Sequence, residues 1–531
     1  MIDSTNNEKP CLIKTEQGFS IQYKSKFLYS KYNPSKNILT ILQNLQVLPG
    51  TIILCFSPAL NYGLQELLKK IEENCIVIAV EADKNLYEFE EQNVFTDSLK
   101  NNPLMTFVSP EKLFALPELI SSINKGQFRR CIRIDFSGGT QFYQDLYSKL
   151  FQACQNSVAQ FWKNRITLVK FGRRYCANIF RNLKLFCSSN NIVKTNKPIL
   201  VIGAGESALE TLLSIKNIKS RFFILAVDAI LQTMKSLNIR PDAVICEEAQ
   251  DIIIRAFTGC SDFYDYLFVS ASTNPNVTKL TPDKNIFYTT KFCESDFLSE
   301  MIKNQLLTDV IPPLGSVGLS AVETALKIRQ DENIPVYITG MDFSYSIGQT
   351  HAKGSFHEKI RRFNNNRLIG VESFGSSFND DAKKTIGKNN NPIITTTTLY
   401  NYSQLFSYRY SGTKNLFDVG KSGINLNISA KEIAECDNTN EFFIITSQRK
   451  KSDKQIEEFI LQEKNALLRL KDIFTGKIVL NEDSRKEEII KLLKKREYLF
   501  LHFPDGYQLN LSQDFLNRIR VQIDFFLKIL K

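Results

Sequence analysis

The sequence predicts an α/β protein of several domains, in which helices cover mainly parallel sheets. The 531 residues exceed the size of a typical domain, which is about 100–200 residues. Hydrophobic residues make up 43% and charged residues 23%, a globular composition that excludes a disordered or collagen-like chain. Short β-branched runs alternate with helix-like stretches, which is typical of parallel sheets with helical connections.

The overall composition limits the class of ligand and the compartment. Sixty-seven Lys and Arg against 56 Asp and Glu give a net charge of +11, which suits an anionic ligand such as a nucleotide but does not indicate a nucleic-acid surface. Eleven scattered cysteines without a CxxC pair, and only three histidines, predict neither a disulfide framework nor a multi-histidine metal site. The polar N-terminus and the short apolar runs predict a cytoplasmic protein without a signal segment or a transmembrane helix.

The first α/β unit lies in the N-terminal part of the chain. The pattern predicts a strand, a helix and two further strands at residues 51–56, 64–73, 75–80 and 131–136. Glu81 follows the second strand, where a Rossmann fold places the carboxylate that binds a ribose hydroxyl. The turn before the helix contains only Gly63, so a Rossmann-like domain with an empty site is the alternative.

A helical stretch follows, from about residue 141 to residue 188. Its second half is basic, with Lys170, Arg173, Arg174, Arg181 and Lys184 among aromatic residues. A basic amphipathic helix can contact a membrane or a nucleic acid, but a connecting helix with a solvated face is the simpler interpretation. The polar residues 189–197 are interpreted as a domain boundary.

The second α/β unit gives the clearest pattern. Strands are predicted at residues 199–202, 222–227, 243–246, 267–270 and 335–339, and helices at residues 206–215, 230–237 and 317–328. Residues 354–391, rich in Asn, Gly, Ser and Lys, predict a long loop. Further helices are predicted at residues 395–410, 453–474, 488–496 and 513–530. The predicted domains are an N-terminal Rossmann-like domain, a central doubly wound α/β domain and a helical C-terminal domain, at residues 1–160, 161–440 and 441–531.

Polar residues follow most strands of the central unit. They are Gly203, Gly205, Ser207, Asp228, Glu247, Glu248, Ser270, Asn274, Gly315, Ser316, Gly340, Asp342, Thr350 and His351. Because ligands bind beyond the carboxyl ends of the strands in an open α/β sheet, these residues should converge along one edge. The Gly-x-Gly-x-Ser turn and the Gly-Ser pair each precede a helix whose N-terminus could hold a phosphate, although a tight turn alone also explains the glycines.

Two of these residues suggest chemistry. His351 lies in a polar loop after a strand, where a neutral imidazole could act as a general base, and a surface histidine is the alternative. Asp342 could orient a sugar hydroxyl, or it could cap its own loop.

Several short motifs resemble the motility accessory factor (Maf) family. They are Gly203-Ala-Gly-Glu-Ser207, Ala226-Val-Asp228, Ile239-Arg-Pro-Asp-Ala-Val244, Gly315-Ser316-Val317, and Gly340-Met-Asp-Phe343 with Gly348-Gln-Thr-His351-Ala-Lys-Gly354. Maf proteins are flagellin glycosyltransferases related to MptE-like hydroxymethylpterin diphosphokinases. The order and spacing are also similar to small bacterial CMP-sialic acid sialyltransferases. The match covers roughly residues 165–430.

The resemblance implies a sialyltransferase-like central fold and a cytoplasmic enzyme. It would move a nonulosonic acid, such as a pseudaminic or legionaminic acid, from a CMP-sugar to Ser or Thr of flagellin, in support of filament assembly and motility. His351 would be the base with Glu248 as second candidate, Asp342 would assist, and the other polar residues named above would bind the donor. No Asp-x-Asp pair ends a strand, so we expect no metal and no other cofactor.

Two alternatives to this transferase stay open. One is a diphosphokinase that uses ATP and Mg²⁺, which Asp228, Glu247 and Glu248 could hold. The other is a non-catalytic accessory protein that binds flagellin through the helical ends of the chain. Neither alternative calls for a nucleic acid or a transmembrane segment.

Overall fold

The chain folds into two compact units, each built around a sheet of mainly parallel strands. One unit comprises Met1–Lys170 with Leu501–Leu509, and the other comprises Phe171–Phe500 with Asn510–Lys531. This computed structural model describes residues 9–72, 74–93, 97–186, 189–307, 310–347, 349–368, 370, 381–433, 444–448 and 453–531. Across these ranges, no helix is both long enough and apolar enough to pass through a bilayer.

The first unit contains a three-stranded antiparallel sheet and a four-stranded parallel sheet. Its strands are β1 (Cys11–Thr15), β2 (Gly18–Tyr23), β3 (Lys26–Phe27), β4 (Thr51–Phe56), β5 (Ile76–Val80), β6 (Met105–Val108) and β7 (Arg130–Asp135). Its helices are α1 (Lys36–Asn44), α2 (Leu64–Lys70), α3 (Lys84–Asn93), α4 (Asp97–Lys100) and α5 (Leu116–Ile123). The orders are β1-β2-β3 and β6-β5-β4-β7.

Strand β4 shows why the parallel sheet forms where the sequence predicts it. All six of its residues are buried. Ile52 and Leu54 pack into one hydrophobic cluster, and Ile53 and Cys55 pack into another, because successive side chains of a strand point to opposite faces. A continuous apolar run of this kind fits a strand covered on both faces.

Helix α6 (Gln144–Asn182) leads into the second unit, whose sheet has eleven strands. The strands are β8 (Asn190–Thr195), β9 (Ile199–Ile202), β10 (Phe223–Val227), β11 (Ala243–Cys246), β12 (Tyr266–Ser270), β13 (Asn285–Thr290), β14 (Val310–Ile311), β15 (Val336–Thr339), β18 (Leu416–Asp418), β19 (Ser429–Ala430) and β20 (Ile444–Gln448), with a separate hairpin of β16 (Ala382–Ile386) and β17 (Pro392–Thr396). The helices are α7 (Ser207–Ile215), α8 (Leu231–Ser236), α9 (Ile254–Phe257), α10 (Pro275–Thr278), α11 (Asp296–Lys303), α12 (Val317–Ile328), α13 (Phe356–Asn364), α14 (Thr397–Tyr410), α15 (Asp453–Phe474), α16 (Glu482–Lys494) and α17 (Gln513–Ile529).

The large sheet is doubly wound, as the sequence predicts. Its order is β19-β18-β15-β9-β10-β11-β12-β13-β8-β20, with β14 beside β13. The chain runs from β9 outward to β13, then returns to place β15 on the other side of β9. The strand order therefore reverses between β9 and β15, and the crevice beyond such a reversal is where open α/β sheets bind ligands.

Two predictions for local structure were wrong. Residues 190–195, interpreted as part of a boundary, form β8, which pairs with β13 and β20. Within the predicted loop 354–391, residues 356–364 form α13 and residues 382–386 form β16. The sequence carries a signal for α13, because Ser355 caps the helix by accepting a hydrogen bond from the Glu358 N–H.

The predicted domain boundaries stay predictions. Helices α15, α16 and α17 lie in the second unit, together with the doubly wound sheet. The predicted boundary at residues 440 and 441 lies outside the described residues, as do residues 371–380 of the predicted loop.

Candidate functional site

The Gly203–Ser207 turn packs directly against the loop that follows β15. The N–H of Gly203 donates to the Thr339 carbonyl at 2.8 Å, and the N–H of Gly205 donates to the Gly340 carbonyl at 2.9 Å. A Cβ at Gly203 would lie 2.3 Å from the Gly340 oxygen, and a Cβ at Gly205 would lie 2.5 Å from Asp342 Oδ2. Both glycines are therefore required by the close approach of two protein segments, whether or not a ligand binds.

Asp342 joins these two segments. Its Oδ2 accepts from the Ser207 N–H at 2.9 Å, and its Oδ1 accepts from the Ser207 hydroxyl, which itself accepts from the Gly340 N–H at 3.0 Å. Burial raises the pKa of Asp342 to about 6, although the bonds from Ser207 and the nearby Lys388 cation lower it. With 4% of its surface exposed, Asp342 stabilises the N-terminus of α7, and contact with a sugar hydroxyl stays a prediction.

The loop that carries His351 crosses the same edge of the sheet. The Ala352 N–H donates to the Ala204 carbonyl at 2.8 Å, and the Thr233 hydroxyl donates to the Lys353 carbonyl at 3.1 Å. The loop thus spans from the exit of β9 to helix α8, which follows β10. His351 lies beside the Gly203–Ser207 turn in space, although 144 residues separate it from Ser207 in sequence.

His351 is held by a small group of polar and aromatic side chains. Its Nδ1 lies 3.0 Å from the Thr350 hydroxyl, and its ring stacks on that of His357 with 4.3 Å between centroids. Burial, the His357 ring and the Arg361 cation lower the pKa of His351 to about 3, so the imidazole is neutral at pH 7. Burial also lowers the pKa of Arg361, and no described carboxylate lies within ion-pair distance of its guanidinium.

A second group of polar side chains lies at the exits of β10, β11 and β13 and at the start of α12. The Thr290 hydroxyl donates to Glu247 Oε1 at 3.0 Å. Burial raises the pKa of Glu247, while the facing hydroxyls of Tyr288, Ser320 and Thr290 lower it. In the part of the chain that is described, the Tyr288 and Ser320 hydroxyls and Asp228 Oδ2 form no well-aligned hydrogen bond. We call Asp228, Glu247, Tyr288, Thr290 and Ser320 the Glu247 cluster.

The unsatisfied atoms of the Glu247 cluster indicate a binding function. A buried polar group without a partner costs about 1–3 kcal/mol, and native proteins contain few of them. Three such atoms lie near the largely buried Glu247 carboxylate, at the edge of the sheet where ligands bind. A polar ligand that supplies hydrogen bonds to these atoms would relieve the cost.

Asp228→Asn should stabilise the protein in a pH-dependent manner. Burial raises the pKa of Asp228 to about 7 from an ordinary 3.8, and the nearby Glu248 and Glu247 raise it further, while bonds from Cys246 and Ala229 lower it. A carboxyl whose pKa is higher in the folded than in the unfolded protein does not lower the stability of the fold below pH 4. It destabilises the folded state increasingly as the pH rises through 7. The advantage of the amide should therefore grow by roughly 2 kcal/mol between pH 5 and pH 8.

Thermal unfolding at pH 5 and pH 8 measures this difference. Asp262→Asn, at an exposed aspartate of the same unit, is the matched control and should change the midpoint equally at both pH values. An Asp228→Asn variant that loses stability at pH 8 would contradict the prediction.

Other predicted residues carry local bonds at the exits of β11 and β12. Glu248 Oε1 accepts from the Gln250 N–H at 2.8 Å, and the Glu248 carbonyl accepts from the Asn274 N–H at 3.0 Å. Asn274 caps α10 by accepting from the Asn276 N–H at 2.9 Å, and the Ser270 hydroxyl lies 3.2 Å from that of Ser272. These bonds shape the loops, and their proposed roles in donor binding and catalysis stay predictions.

The two residues of the glycine–serine pair before α12 have different structural roles. Gly315 has a φ of +73°, and its missing Cβ leaves room for the Tyr402 ring, which would otherwise lie 2.9 Å away. Ser316 is the N-cap residue of α12, and its side chain forms no capping bond. Ser320 lies one turn further on and belongs to the Glu247 cluster.

Sequence reasoning missed Tyr288, Ser320 and Arg361. Tyr288 lies two residues before Thr290, so both point to the same face of β13. Ser320 follows the N-cap Ser316 by four residues, which places the two serines on one face of α12. Arg361 follows His357 by four residues in a segment that was interpreted as a loop. Each spacing becomes informative only when the strand or helix is assigned.

Comparisons with known proteins agree with this architecture. Residues 173–348 match the family model described as 6-hydroxymethylpterin diphosphokinase MptE-like. The central region of the chain is therefore similar to MptE-like domains. The chain is also similar to the structure of the Maf glycosyltransferase from Magnetospirillum magneticum AMB-1, with a TM-score of 0.60 and 12% identity over 99% of this chain and 92% of that one.

The predicted Maf/MptE-like resemblance is therefore confirmed, and so is the multidomain α/β fold. An uncharacterised protein of Treponema pallidum (strain Nichols) is 28% identical over 552 aligned positions, which cover 98% of this chain and 95% of that protein. The further similarity to sialyltransferases stays a prediction. Within the described residues, no three His, Cys, Asp or Glu side chains are placed to hold a metal ion.

Proposed function

We propose that this protein is a glycosyltransferase whose donor site is the edge of the sheet between the His351 loop and the Glu247 cluster. The observation that carries the proposal is the set of buried atoms on Asp228, Tyr288 and Ser320 that form no well-aligned hydrogen bond. They lie around Glu247 at the exits of strands in a fold shared with a Maf glycosyltransferase. A nucleotide-activated sugar has the hydroxyls and charged oxygens that such a site can bind.

For the donor, we propose a CMP-activated nonulosonic acid. This molecule carries two anionic groups, the phosphodiester and the sugar carboxylate. Arg361, partly buried and without a described carboxylate partner, could bind one of them. The N-terminus of α12, with the Ser320 hydroxyl in its first turn, could bind the other. A raised pKa near 7 leaves Asp228 about half protonated at neutral pH, which reduces repulsion of these anions.

For the reaction, we propose transfer to a Ser or Thr hydroxyl of flagellin. The acceptor oxygen would attack the anomeric carbon, the bond from that carbon to the phosphate oxygen would break, and CMP would leave with the electron pair. His351 would take the proton of the acceptor hydroxyl. Its low pKa in the unliganded protein should rise when the anionic donor offsets the Arg361 charge. Asp342 and Ser207 would position the turn and the loop. We also propose that the protein is cytoplasmic and that the transfer reaction needs no metal ion.

A second candidate is phosphoryl transfer from ATP, which the description of the MptE-like family model favours. This chemistry uses Mg²⁺, but within the described residues the carboxylates of Asp228, Glu247 and Glu248, which the sequence suggested as ligands, are not placed together to hold a metal ion. A flagellin-binding protein without catalytic activity is the third candidate.

The three candidate functions can be distinguished by measuring how CMP, or ATP with Mg²⁺, shifts the thermal unfolding midpoint. CMP at saturating concentration in EDTA should raise the unfolding midpoint by a few degrees, because a ligand that binds only the folded state stabilises it by about 2.7 kcal/mol at a hundredfold excess over Kd. Ser320→Ala should lose most of this shift. Ser214→Ala, on the solvent-facing side of α7, is the matched control and should keep it.

A shift with ATP and Mg²⁺ but none with CMP would favour the kinase instead. Binding of flagellin that is insensitive to CMP and to Ser320→Ala, without sugar transfer, would favour the accessory protein. Transfer from a CMP-nonulosonic acid to purified flagellin, followed by intact mass, tests the full reaction.

A further inference from the structure

A basic cleft lies at the exits of β11 and β12, beside α6. It has a volume of about 230 Å³, and its walls include Arg174 and Arg181 of α6, Lys279 after α10, and Asp251. Arg174, Asn178 and Arg181 are spaced by four and three residues, so they share one face of the helix. The basic stretch noted in the sequence thus presents two of its five cations to one cavity.

The wall formed by α6 is fixed in place by buried amides. Asn178 Nδ2 donates to the carbonyls of Ala249 and Ser272, at 3.2 and 3.0 Å. One turn further, Asn182 Nδ2 donates to the carbonyls of Ala271 and Thr273, at 3.0 and 2.9 Å. Both asparagines are almost fully buried. The two arginines therefore project from a helix that is held by hydrogen bonds to the segments that follow β11 and β12.

The charge of the cleft is unbalanced. No described carboxylate forms an ion pair with Arg174, Arg181 or Lys279, and all three side chains are exposed. The one carboxylate in the lining, Asp251, accepts a hydrogen bond from Asn274 Nδ2 at 2.8 Å. Three cations against one anion leave an excess of two positive charges around a small polar cavity.

We infer that this cleft is a second ligand site, which binds the phosphomonoester or diphosphate group of a small molecule. A doubly negative group matches the charge excess, and arginine side chains bind phosphate oxygens in pairs. The cavity is smaller than the roughly 300–1,000 Å³ of pockets that enclose a whole drug-sized ligand. It therefore holds the anionic group, while the remainder of the ligand lies outside. This inference goes beyond the proposed transfer reaction, which uses the Glu247 cluster and His351, although Asn274, which the sequence predicted to bind the donor, lines this cleft.

Calorimetric titration of the full-length protein with inorganic pyrophosphate tests the inference. We expect saturable binding at low salt that weakens as ionic strength rises. Arg181→Gln should weaken binding about tenfold, and the double variant Arg174→Gln with Arg181→Gln should remove it, because each lost charge-assisted bond contributes about 1.5–3 kcal/mol. Lys184→Gln removes one charge from the same basic segment outside the cleft, so it is the matched control and should bind normally.

Two further experiments identify which class of molecule supplies the phosphate, and they distinguish binding at this cleft from binding at the proposed donor site. Competition by CMP would indicate a nucleotide, and competition by glucose 1-phosphate would indicate a phosphorylated sugar. Ser320→Ala should leave pyrophosphate affinity unchanged even where it abolishes the CMP thermal shift. Absence of saturable binding, or equal weakening by Lys184→Gln and Arg181→Gln, would overturn the inference. Arg174, Arg181 and Lys184 lie at exposed positions whereas Ser320 is buried, and the unfolding midpoints of all four variants verify that the fold is retained.

Discussion

His351→Ala should lower the rate of sugar transfer at least hundredfold, and we expect the loss mainly in kcat. A positioned general base contributes about 10²- to 10⁴-fold to a rate. The His351 imidazole is the candidate because the Ala352–Ala204 hydrogen bond places its loop at the exit of β9, beside the proposed donor site. Steady-state transfer from a CMP-nonulosonic acid to flagellin, with CMP release as a second readout, measures the effect.

Lys353→Ala is the control for disturbance of the loop. The Lys353 side chain is exposed, and the bond from Thr233 uses the main-chain carbonyl, so the loop should keep its position. A His351→Ala variant that transfers sugar at nearly the wild-type rate would remove His351 from the mechanism. A loss confined to KM would instead indicate that His351 contacts the donor without accepting a proton.

The protonation of His351 provides an independent measurement. Because the chain contains only three histidines, their imidazole signals can be followed by NMR through a pH titration. His351 should remain neutral down to about pH 4, since its pKa is about 3. Arg361→Gln should raise this pKa, because a neighbouring cation disfavours the imidazolium. An ordinary pKa near 6.5 in the unliganded protein would contradict the buried environment described above.

Gly203→Ala should destabilise the protein by about 3 kcal/mol or more, the upper range for an overpacked site. The new Cβ would lie 2.3 Å from the Gly340 oxygen and 2.7 Å from its carbonyl carbon. Both are backbone atoms that cannot rotate away, so the exits of β9 and β15 must separate. Thermal and urea unfolding measure the loss. Because Ala204 holds the His351 loop, the variant should also lose transfer activity.

Gly412→Ala is the matched control for Gly203→Ala. A Cβ at Gly412 would meet no atom within 4 Å, so its unfolding midpoint should stay close to that of the wild type. Equal midpoints for the two variants would show that the turn and the loop after β15 do not pack as closely as described.

The central strands could be predicted from the sequence because their apolar runs leave few alternatives. Strands β4, β9 and β10 are continuous hydrophobic segments, and such segments are stable only when covered on both faces. Helix α12 was likewise predicted at residues 317–328, where a glycine–serine pair precedes an amphipathic pattern. Strand β8 could not be predicted, because its sequence is mainly polar and the strand is defined by backbone pairing with β13 and β20.

The sequence by itself determined the doubly wound core and the set of polar residues that follow its strands, since both depend on local periodicity and on where each apolar run ends. Only the tertiary structure decided which of those residues meet. Asp342 accepts a hydrogen bond from Ser207, whereas Tyr288 and Ser320, which come from distant segments, face Glu247. Strand order sets these neighbours, and strand order is fixed by packing between segments far apart in the chain, which no local pattern records.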